Sequence, residues 1–498
     1  MKYGIERFLA QRGTWQLWVN GIPVTDLRCD QFATSIEFGK LIFSFWSDDF
    51  SQSWRVVGFE AQSLRLRLRL MRKMGDEQVA VELRAPEVAE DADPGPVDRR
   101  HRFLQQLMYS LRSHFHAVEF ESAGTGPTAV PGLSSVYSRL VFKSGPDRIA
   151  ALGTSNETSD QLIDELLAAG VLWLESLGFR EPPVKKCLLI APGNRSKTLA
   201  RRMTALRPEV ANRLELYEWS ASEGELKPIQ PVDQGSLFDP ALTKLPPMLS
   251  ARRASLTELE SLKSLPDGVR VFHHPIRGTI SVRCHGLELA RLNRAGCRLN
   301  TFVVRGAGLA RAGRSLKRLA EKVTSVRNAN SRTRWHPLYR WQGERWMEEM
   351  IRDDLTTIDP ELDPRFVYPQ IPALEMGDRR MVDLLTIRSD GRLVILELKT
   401  REDLDLPLQG VDYWLRVEWH RQRRDFERRG YFPGKVIAGV PAVLYLVAPV
   451  LQFHRGFDCI ARSISPALPA YRIGINENWR AGIKVLRRDR LSERSDVH

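Results

Sequence analysis

Residues 382–400 read VDLLTIRSDGRLVILELKT. Two apolar runs flank an Asp-Gly dipeptide, so the stretch predicts a β-hairpin with a two-residue turn at Asp390-Gly391. Asp383 stands at the start of the first run, and Glu397 and Lys399 close the second. A hairpin lays its strands side by side, which makes Asp383 and Glu397 neighbours. Side chains alternate along a strand, so Glu397 and Lys399 share one face while Leu396 and Leu398 share the other. Two carboxylates on an otherwise apolar sheet repel each other and take up a proton. A divalent cation removes that cost, and hard oxygen ligands with open water positions suit Mg²⁺ or Mn²⁺, held by Asp383 and Glu397. Such a metal acidifies a bound water and stabilises a phosphate under attack; Lys399 can orient the water and offset phosphate charge. The plain alternative is a surface hairpin with a cross-strand salt bridge. A strand of this character flanked by helices should be buried, and burying an ion pair without function is costly.

Working outward, YRWQGERWMEEMIRDDL (339–355) predicts a helix, with Trp346, Met350 and Ile351 at helical spacing. RFVYPQIPA (365–373) predicts a strand, LPLQGVDYWLRVEWHRQRRDFERRG (406–430) a helix, and AVLYLVAP (442–449) a buried strand. The pattern Asp383, thirteen intervening residues, Glu397-Leu398-Lys399, then Gln409-x-x-x-Tyr413 resembles the PD-(D/E)xK nuclease superfamily, in particular its RecB-like and NucS-like members. The resemblance covers roughly residues 335 to 455. It implies a restriction-endonuclease-like α/β domain, with Asp383, Glu397 and Lys399 as catalytic core and Glu344 as a further acidic residue on the preceding helix. It also implies an active-site role for Gln409 and Tyr413. The sequence departs from the pattern at Val382, where a proline is common, and Glu348 and Glu349 rival Glu344.

The rest of the chain fits a nucleic-acid partner. It has 498 residues, which predicts several domains, and 74 Lys+Arg against 61 Asp+Glu give a net charge of +13. Five scattered cysteines without a C-x-x-C, and no secretory leader, predict a reducing, cytoplasmic setting, and Cys284-His285 reads as structural. The longest apolar run, VIAGVPAVLYLVAPVL (436–451), holds two prolines and is too short for a membrane span. No P-loop occurs, so ATPase or helicase activity is not expected. In RGAGLARAGRSLKRLAEKVTSVRNANSRTR (305–334), Arg311, Arg314, Lys317, Arg318 and Lys322 recur at near-helical spacing and predict a phosphate-tracking helix. In SLRLRLRLMRK (63–73), Leu64, Leu66, Leu68 and Leu70 face one side and Arg65, Arg67 and Arg69 the other, either a solvated strand face or an arginine ridge.

Two stretches, 85–100 and 234–253, have linker composition. Between and around them the chain repeats itself. GTWQLWVNGIPVTDL from Gly13 aligns on GTISVRCHGLELARL from Gly278, RFLQQLMYSLR on RWMEEMIRDDL, and LLIAP (188–192) on YLVAP (445–449). YSRLVFKSGPDRIAALGT (137–154) aligns on the hairpin, placing Ser138, Ala151 and Gly153 at Asp383, Glu397 and Lys399. In the same alignment Phe103 answers Trp346, Trp173 answers Trp419, and Trp219 answers Trp479. The expected organisation is an α/β protein. A β-rich segment (1–84), a degenerate nuclease-like α/β domain (101–230), a second β-rich segment with the basic helix (254–334) and the nuclease domain (335–498) follow in order. The function expected is a metal-dependent nuclease acting on DNA. The alternatives are a non-catalytic nucleic-acid-binding scaffold and a structure-specific or RNA-directed nuclease of the same fold; a homodimer or a protein partner is compatible with either.

Overall fold

The computed structural model describes residues 2–491 apart from 86–95, 231–237, 249–265, 373–380 and shorter stretches. Its contacts divide the chain into two compact units. The first comprises Met1–Arg99, Arg252–His274 and Thr279–Trp341; the second comprises Arg100–Ala251, Pro275–Gly278 and Gln342–His498.

The first unit opens with helix α1 (Lys2–Leu9) and the strands β1 (Thr14–Val19), β2 (Ile22–Arg28), β3 (Phe32–Glu37), β4 (Lys40–Trp46), β5 (Ser51–Gln62), β6 (Arg65–Arg72) and β7 (Glu77–Arg84). These form one antiparallel sheet in the order β2-β1-β7-β6-β5-β4-β3. On β6 the alternation read from sequence holds: Leu66, Leu68 and Leu70 are buried, and Arg67 and Arg69 are exposed. Leu64 lies outside the described residues. The arginines are not a bare cationic ridge, because Glu82 on β7 pairs with Arg65 at 2.6 Å and Arg67 at 3.1 Å.

The chain enters the second unit within α2 (Pro96–His114), whose first turn falls inside the stretch read as a linker. Proline suits a first helical turn, where its missing N–H costs nothing. There follow β8 (Val118–Gly124), β9 (Ser138–Ser144), β10 (Asp147–Gly153), α3 (Asp160–Asp164), α4 (Leu166–Leu177), β11 (Lys186–Pro192), α5 (Ser196–Met203), α6 (Pro208–Ala211), β12 (Leu214–Trp219) and β13 (Leu226–Ile229). The other supposed linker is anchored in this unit. Phe238 is buried and stacks on Trp419 at 5.1 Å, Leu245 is buried, and Met248 N–H donates to the Arg429 carbonyl. Two apolar side chains among prolines and polar residues were enough to tie it down.

The chain returns to the first unit with a five-stranded antiparallel sheet, β14 (Val269–His274), β15 (Thr279–Cys284), β16 (Leu287–Asn293), β17 (Gly296–Leu299) and β18 (Phe302–Val304), and then α7 (Leu309–Val326) and α8 (Pro337–Arg340). The buried Leu316, Ala320 and Val323 give α7 an apolar stripe at helical spacing. The helix read as continuous from Tyr339 is broken: Trp341 is extended and Gln342 adopts a left-handed φ of 48°, so α9 (Gly343–Asp353) starts afresh in the second unit.

The second unit closes with β19 (Leu362–Pro372), β20 (Met381–Arg388), β21 (Leu393–Leu398), α10 (Leu406–Gln422), α11 (Asp425–Arg428), β22 (Val443–Pro449), α12 (Phe457–Ser463), β23 (Ala470–Ile475) and β24 (Val485–Arg490). The helix expected over 406–430 ends at Gln422, and Arg424 at φ 56° turns the chain before α11. The turn at Asp390-Gly391 is not a two-residue one. Arg388 N–H donates to the Arg392 carbonyl, enclosing Ser389, Asp390 and Gly391, with Gly391 at φ 85°. Three-residue loops of this kind need glycine in the left-handed position.

The two six-stranded sheets of this unit share one topology. Their orders are β8-β9-β10-β11-β12-β13 and β19-β20-β21-β22-β23-β24. In each, the first three strands are antiparallel, the next two pairings are parallel, and the last is antiparallel. A helix precedes each sheet, and each parallel crossover carries helices, as parallel pairing requires. Phe103 meets Trp219 edge-on at 5.0 Å and 80°, and Trp346 meets Trp479 at 6.0 Å and 80°.

Candidate active site

The hairpin register pairs Leu384 with Leu396, which sets Asp383 directly across from Glu397. Both project from the face that carries Leu385, Ile387, Leu393 and Ile395 into the apolar core. Glu397 is 2% exposed, and its Oε2 is buried without a hydrogen-bond partner. Its other oxygen lies 3.9 Å from Lys399 Nζ. Asp383 is partly buried and accepts from the Leu398 N–H at 3.0 Å and from Gln370 Nε2 at 3.4 Å. Burial, and then the nearby charge of Glu344, push Asp383 up to about 7. Burial, and then Asp383, push Glu397 well above the ordinary carboxylate range. Two carboxylates that face each other this way titrate as a pair, and the site is short of positive charge.

Lys399 is held elsewhere as well. Asp403, four residues further along the chain in the loop between β21 and α10, binds its Nζ at 2.8 Å. Burial works against the ammonium, but Asp403, Glu344 and Glu397 outweigh it and keep Lys399 protonated well above its usual range. Asp403 was not singled out by the sequence motif, because it reaches Lys399 through a loop whose path no local periodicity specifies. Its Oδ1 also accepts from the Asp405 N–H at 2.8 Å.

Glu344 sits in the first turn of α9, partly buried, with its charge felt at Asp383, Glu397 and Lys399. Its rivals differ. Glu348 is buried and engaged by Arg345 at 2.9 Å and Gln370 at 2.7 Å, and Glu349 is buried on the same helix. Gln370 is a second residue the motif did not reveal. Pro369 pairs with Leu384 and Ile371 with Val382, so Gln370 stands across from Asp383. It holds a left-handed φ of 55° within a strand, a strained conformation for any residue with a Cβ, and its amide bridges Glu348 and Asp383. On α10, Gln409 donates to the Tyr413 hydroxyl at 3.1 Å. Burial and then Glu397 raise the tyrosine far above its ordinary range, so it is a neutral hydroxyl beside the carboxylates.

Among the described residues no three His, Cys, Asp or Glu side chains converge as a ready-made metal cage. Mg²⁺ does not require one, since it keeps several waters and takes one or two carboxylates together with substrate phosphate oxygens. The unbonded Glu397 oxygen opposite Asp383, in a pocket of excess negative charge, fits that donor set.

The basic residues lie in the other unit. Lys317, Arg318 and Lys322 are exposed on α7, and the side chains of Arg311 and Arg314 lie outside the described residues. Cys284 is buried in its sheet, and burial and then Arg327 lower the neighbouring His285 to about 4. Among the described residues no helix is long and apolar enough to cross a membrane.

The counterpart positions in the first six-stranded sheet follow from strand pairing. Thr154 N–H donates to the Ile190 carbonyl and Lys399 N–H to the Val447 carbonyl, the third positions of LLIAP and YLVAP. Thr154 therefore occupies the Lys399 position. Leu152 pairs with Ile190's neighbour Leu189 as Glu397 pairs with Leu446, and Leu152 faces Arg139 across the hairpin. The counterparts of Asp383, Glu397 and Lys399 are thus Arg139, Leu152 and Thr154. The expected Ser138, Ala151 and Gly153 are one residue out of step and point to the other face, where Ala151 joins a separate apolar cluster. A slip of one residue inverts every side chain on a strand. The correction extends along the chain. Thr154 Oγ1 contacts Thr158 Oγ1 at 2.6 Å, where Lys399 holds Asp403. Gly124 lies across from Arg139, where Gln370 faces Asp383. On the crossover helices, a Cβ on Gly170 would strike Leu189 and one on Gly410 would strike Leu446, so these two glycines correspond. Ala169 and Trp173 then stand at Gln409 and Tyr413, and Trp419 has a different counterpart from the one expected.

No family model and no curated protein matches the chain. Among solved structures it is similar to one described as "Structure of EndoMS in apo form", with 10% identity, 38% of this chain and 82% of that chain covered, and a TM-score of 0.14.

Proposed function

We propose that the chain is a metal-dependent nuclease that hydrolyses phosphodiester bonds in DNA, with Asp383, Glu397 and Lys399 as its catalytic core. The observation that carries this reading is the buried, unbonded Glu397 oxygen directly across from Asp383, beside a lysine whose charge is secured by a third carboxylate. Burying such groups costs several kcal/mol by general estimates (roughly 1–3 for one unsatisfied polar group alone).

Asp383 and Glu397 would hold Mg²⁺ or Mn²⁺, which when bound supplies Lewis acidity toward a phosphoryl oxygen and an acidified water. The Leu398 N–H and Gln370 amide aim Asp383, so its carboxylate keeps one orientation before substrate arrives. Lys399 enters as a cation. Held by Asp403, it cannot serve as a base in this state; it offsets the charge that develops on the phosphate and orients a water by donating to it. The neutral Tyr413 hydroxyl, tied to Gln409, offers a further donor at the edge of the site. Glu344, whose charge acts on Asp383, Glu397 and Lys399, would add a further carboxylate to the set that holds the metal. The exposed cations of α7 and the overall charge of +13 supply affinity for the backbone.

The test is cleavage of single-stranded and duplex DNA, with RNA in parallel, in Mg²⁺, Mn²⁺ or EDTA. Metal-dependent products that Glu397→Ala abolishes are expected. Normal cleavage by Glu397→Ala would overturn the site, and binding without cleavage under every condition would favour the scaffold reading.

A further inference from the structure

Resting on that reading, we infer that residues 100–230 take the place of a second nuclease subunit, so that one chain is a complete pseudo-dimer with a single metal site that incises one DNA strand per encounter.

The contacts between the two α/β halves are reciprocal. Helix α4 of the first half packs on α12 of the second, and α10 of the second packs on α5 of the first. Helices α4 and α10 are the corresponding crossovers after the hairpins, and α5 and α12 the corresponding crossovers after the central parallel strands. Element A of one half against B of the other, and B against A, is the signature of a two-fold interface. The segments that follow α5 and α12 meet in the same crossed way. Leu206 pairs with Ile464 antiparallel, with Arg207 N–H on the Ser463 carbonyl at 2.7 Å and Ser465 N–H on the Ala205 carbonyl at 2.8 Å. A single apolar cluster runs through both halves, taking in Val171 and Leu174 of α4 and Phe457 and Ile460 of α12. Two buried ion pairs cross it: Arg201 to Asp412 at 2.6 Å and Arg202 to Asp405 at 2.9 Å. A surface this buried leaves no room there for a second chain.

The second strand of the argument is the loss of chemistry from one half. Where the second half has Asp383, Glu397, Lys399, Gln409 and Tyr413, the first has Arg139, Leu152, Thr154, Ala169 and Trp173. An arginine and a leucine cannot hold a hard cation, which needs anionic oxygens. The first half keeps the shape of a nuclease subunit and has none of its ligands. Its contribution is structural: Arg202 fixes Asp405, whose N–H binds Asp403, which holds Lys399.

Two measurements on the full chain decide this. Light scattering without DNA should give the mass of one chain across a wide concentration range. A time course on supercoiled plasmid, with a duplex labelled differently on its two strands, should show nicked product first, linear product only through later independent nicks, and a rate proportional to the first power of protein concentration. Linear product without a nicked intermediate, a rate rising with the square of concentration, or a two-chain mass would overturn the inference while leaving the nuclease reading intact. Absence of cleavage with either metal on every substrate would overturn the site and this inference with it.

Discussion

The two α/β halves of the second unit hold the same strands in the same order, yet one face differs in kind. In the second half that face carries Asp383 and Glu397 across from each other; in the first it carries Arg139 and Leu152. The Lys399–Asp403 ion pair becomes a Thr154–Thr158 hydrogen bond. Elsewhere the halves agree closely, down to the edge-on Phe103–Trp219 and Trp346–Trp479 pairs. The difference teaches that the charged set is not needed to build this fold. The first half forms the sheet with an arginine, a leucine and a threonine at those positions, so the second half keeps its facing carboxylates there for another reason.

The largest expected effect comes from making the second half resemble the first. Glu397→Leu together with Lys399→Thr should lower cleavage by more than about a thousandfold, the scale on which removing transition-state electrostatics acts. DNA affinity should stay within several fold, because phosphate contacts dominate it. A double variant that still cuts would erase the distinction between the halves.

Next in size is the contact that joins them. Arg201→Met would take from the fully buried Asp412 one of the two arginines that pair with it, leaving Arg416 at 3.0 Å. Breaking a buried pair from one side costs about 3–5 kcal/mol. Denaturant unfolding should therefore report a large loss in stability, and an unchanged midpoint would show that the halves do not depend on this pair.

A smaller effect, of opposite sign, belongs to the site itself. The Asp383 carboxyl is raised from 3.8 to about 7, so the folded state holds its proton more tightly than the unfolded chain. Stability from such a group is present at low pH and lost as pH rises through the folded value. Asp383→Asn should thus show little gain in Tm near pH 4, a gain of a few degrees that opens as pH rises, and a plateau above about 7. Mg²⁺ should raise the Tm of the parent protein at neutral pH and leave that of Asp383→Asn unmoved. A Tm that falls on substitution would mean that the carboxylate supports the fold as an ordinary ion-pair partner.

The smallest effect lies outside both halves. Replacing Arg314, Lys317 and Arg318 on α7 together should reduce the magnitude of the slope of log K against log salt by roughly 2–3, with little change in cleavage of bound DNA. An unchanged slope would return that helix to a solvated surface.

Much of the site was legible because strands alternate. Asp383, Glu397 and Lys399 could be placed together from a hairpin signal and side-chain parity alone, and the apolar stripe of α7 and the leucine face of β6 follow from the same periodicities. Gln370 could not be read this way. Its role depends on which strand lies beside β20 and on a left-handed backbone at one position, neither of which local pattern specifies. The first half's counterpart residues were missed by one position for a related reason. An alignment by residue similarity, even with its one-residue gap inside the hairpin, leaves the register of both strands open by one position, whereas the hydrogen bonds of Thr154 and Lys399 to their neighbouring strands fix it.

The sequence by itself determined the chemistry available on the hairpin, the charge that favours a polyanion and the recurrence of similar segments, because residue type and local periodicity are written one position at a time. Tertiary structure alone decided the register that sets Arg139 and Leu152 where Asp383 and Glu397 stand, the partners that hold Lys399 charged, and the crossed packing of α4 on α12 and α10 on α5. Those depend on pairings between residues far apart in the chain, whose energies come from burial and geometry that only the assembled core supplies.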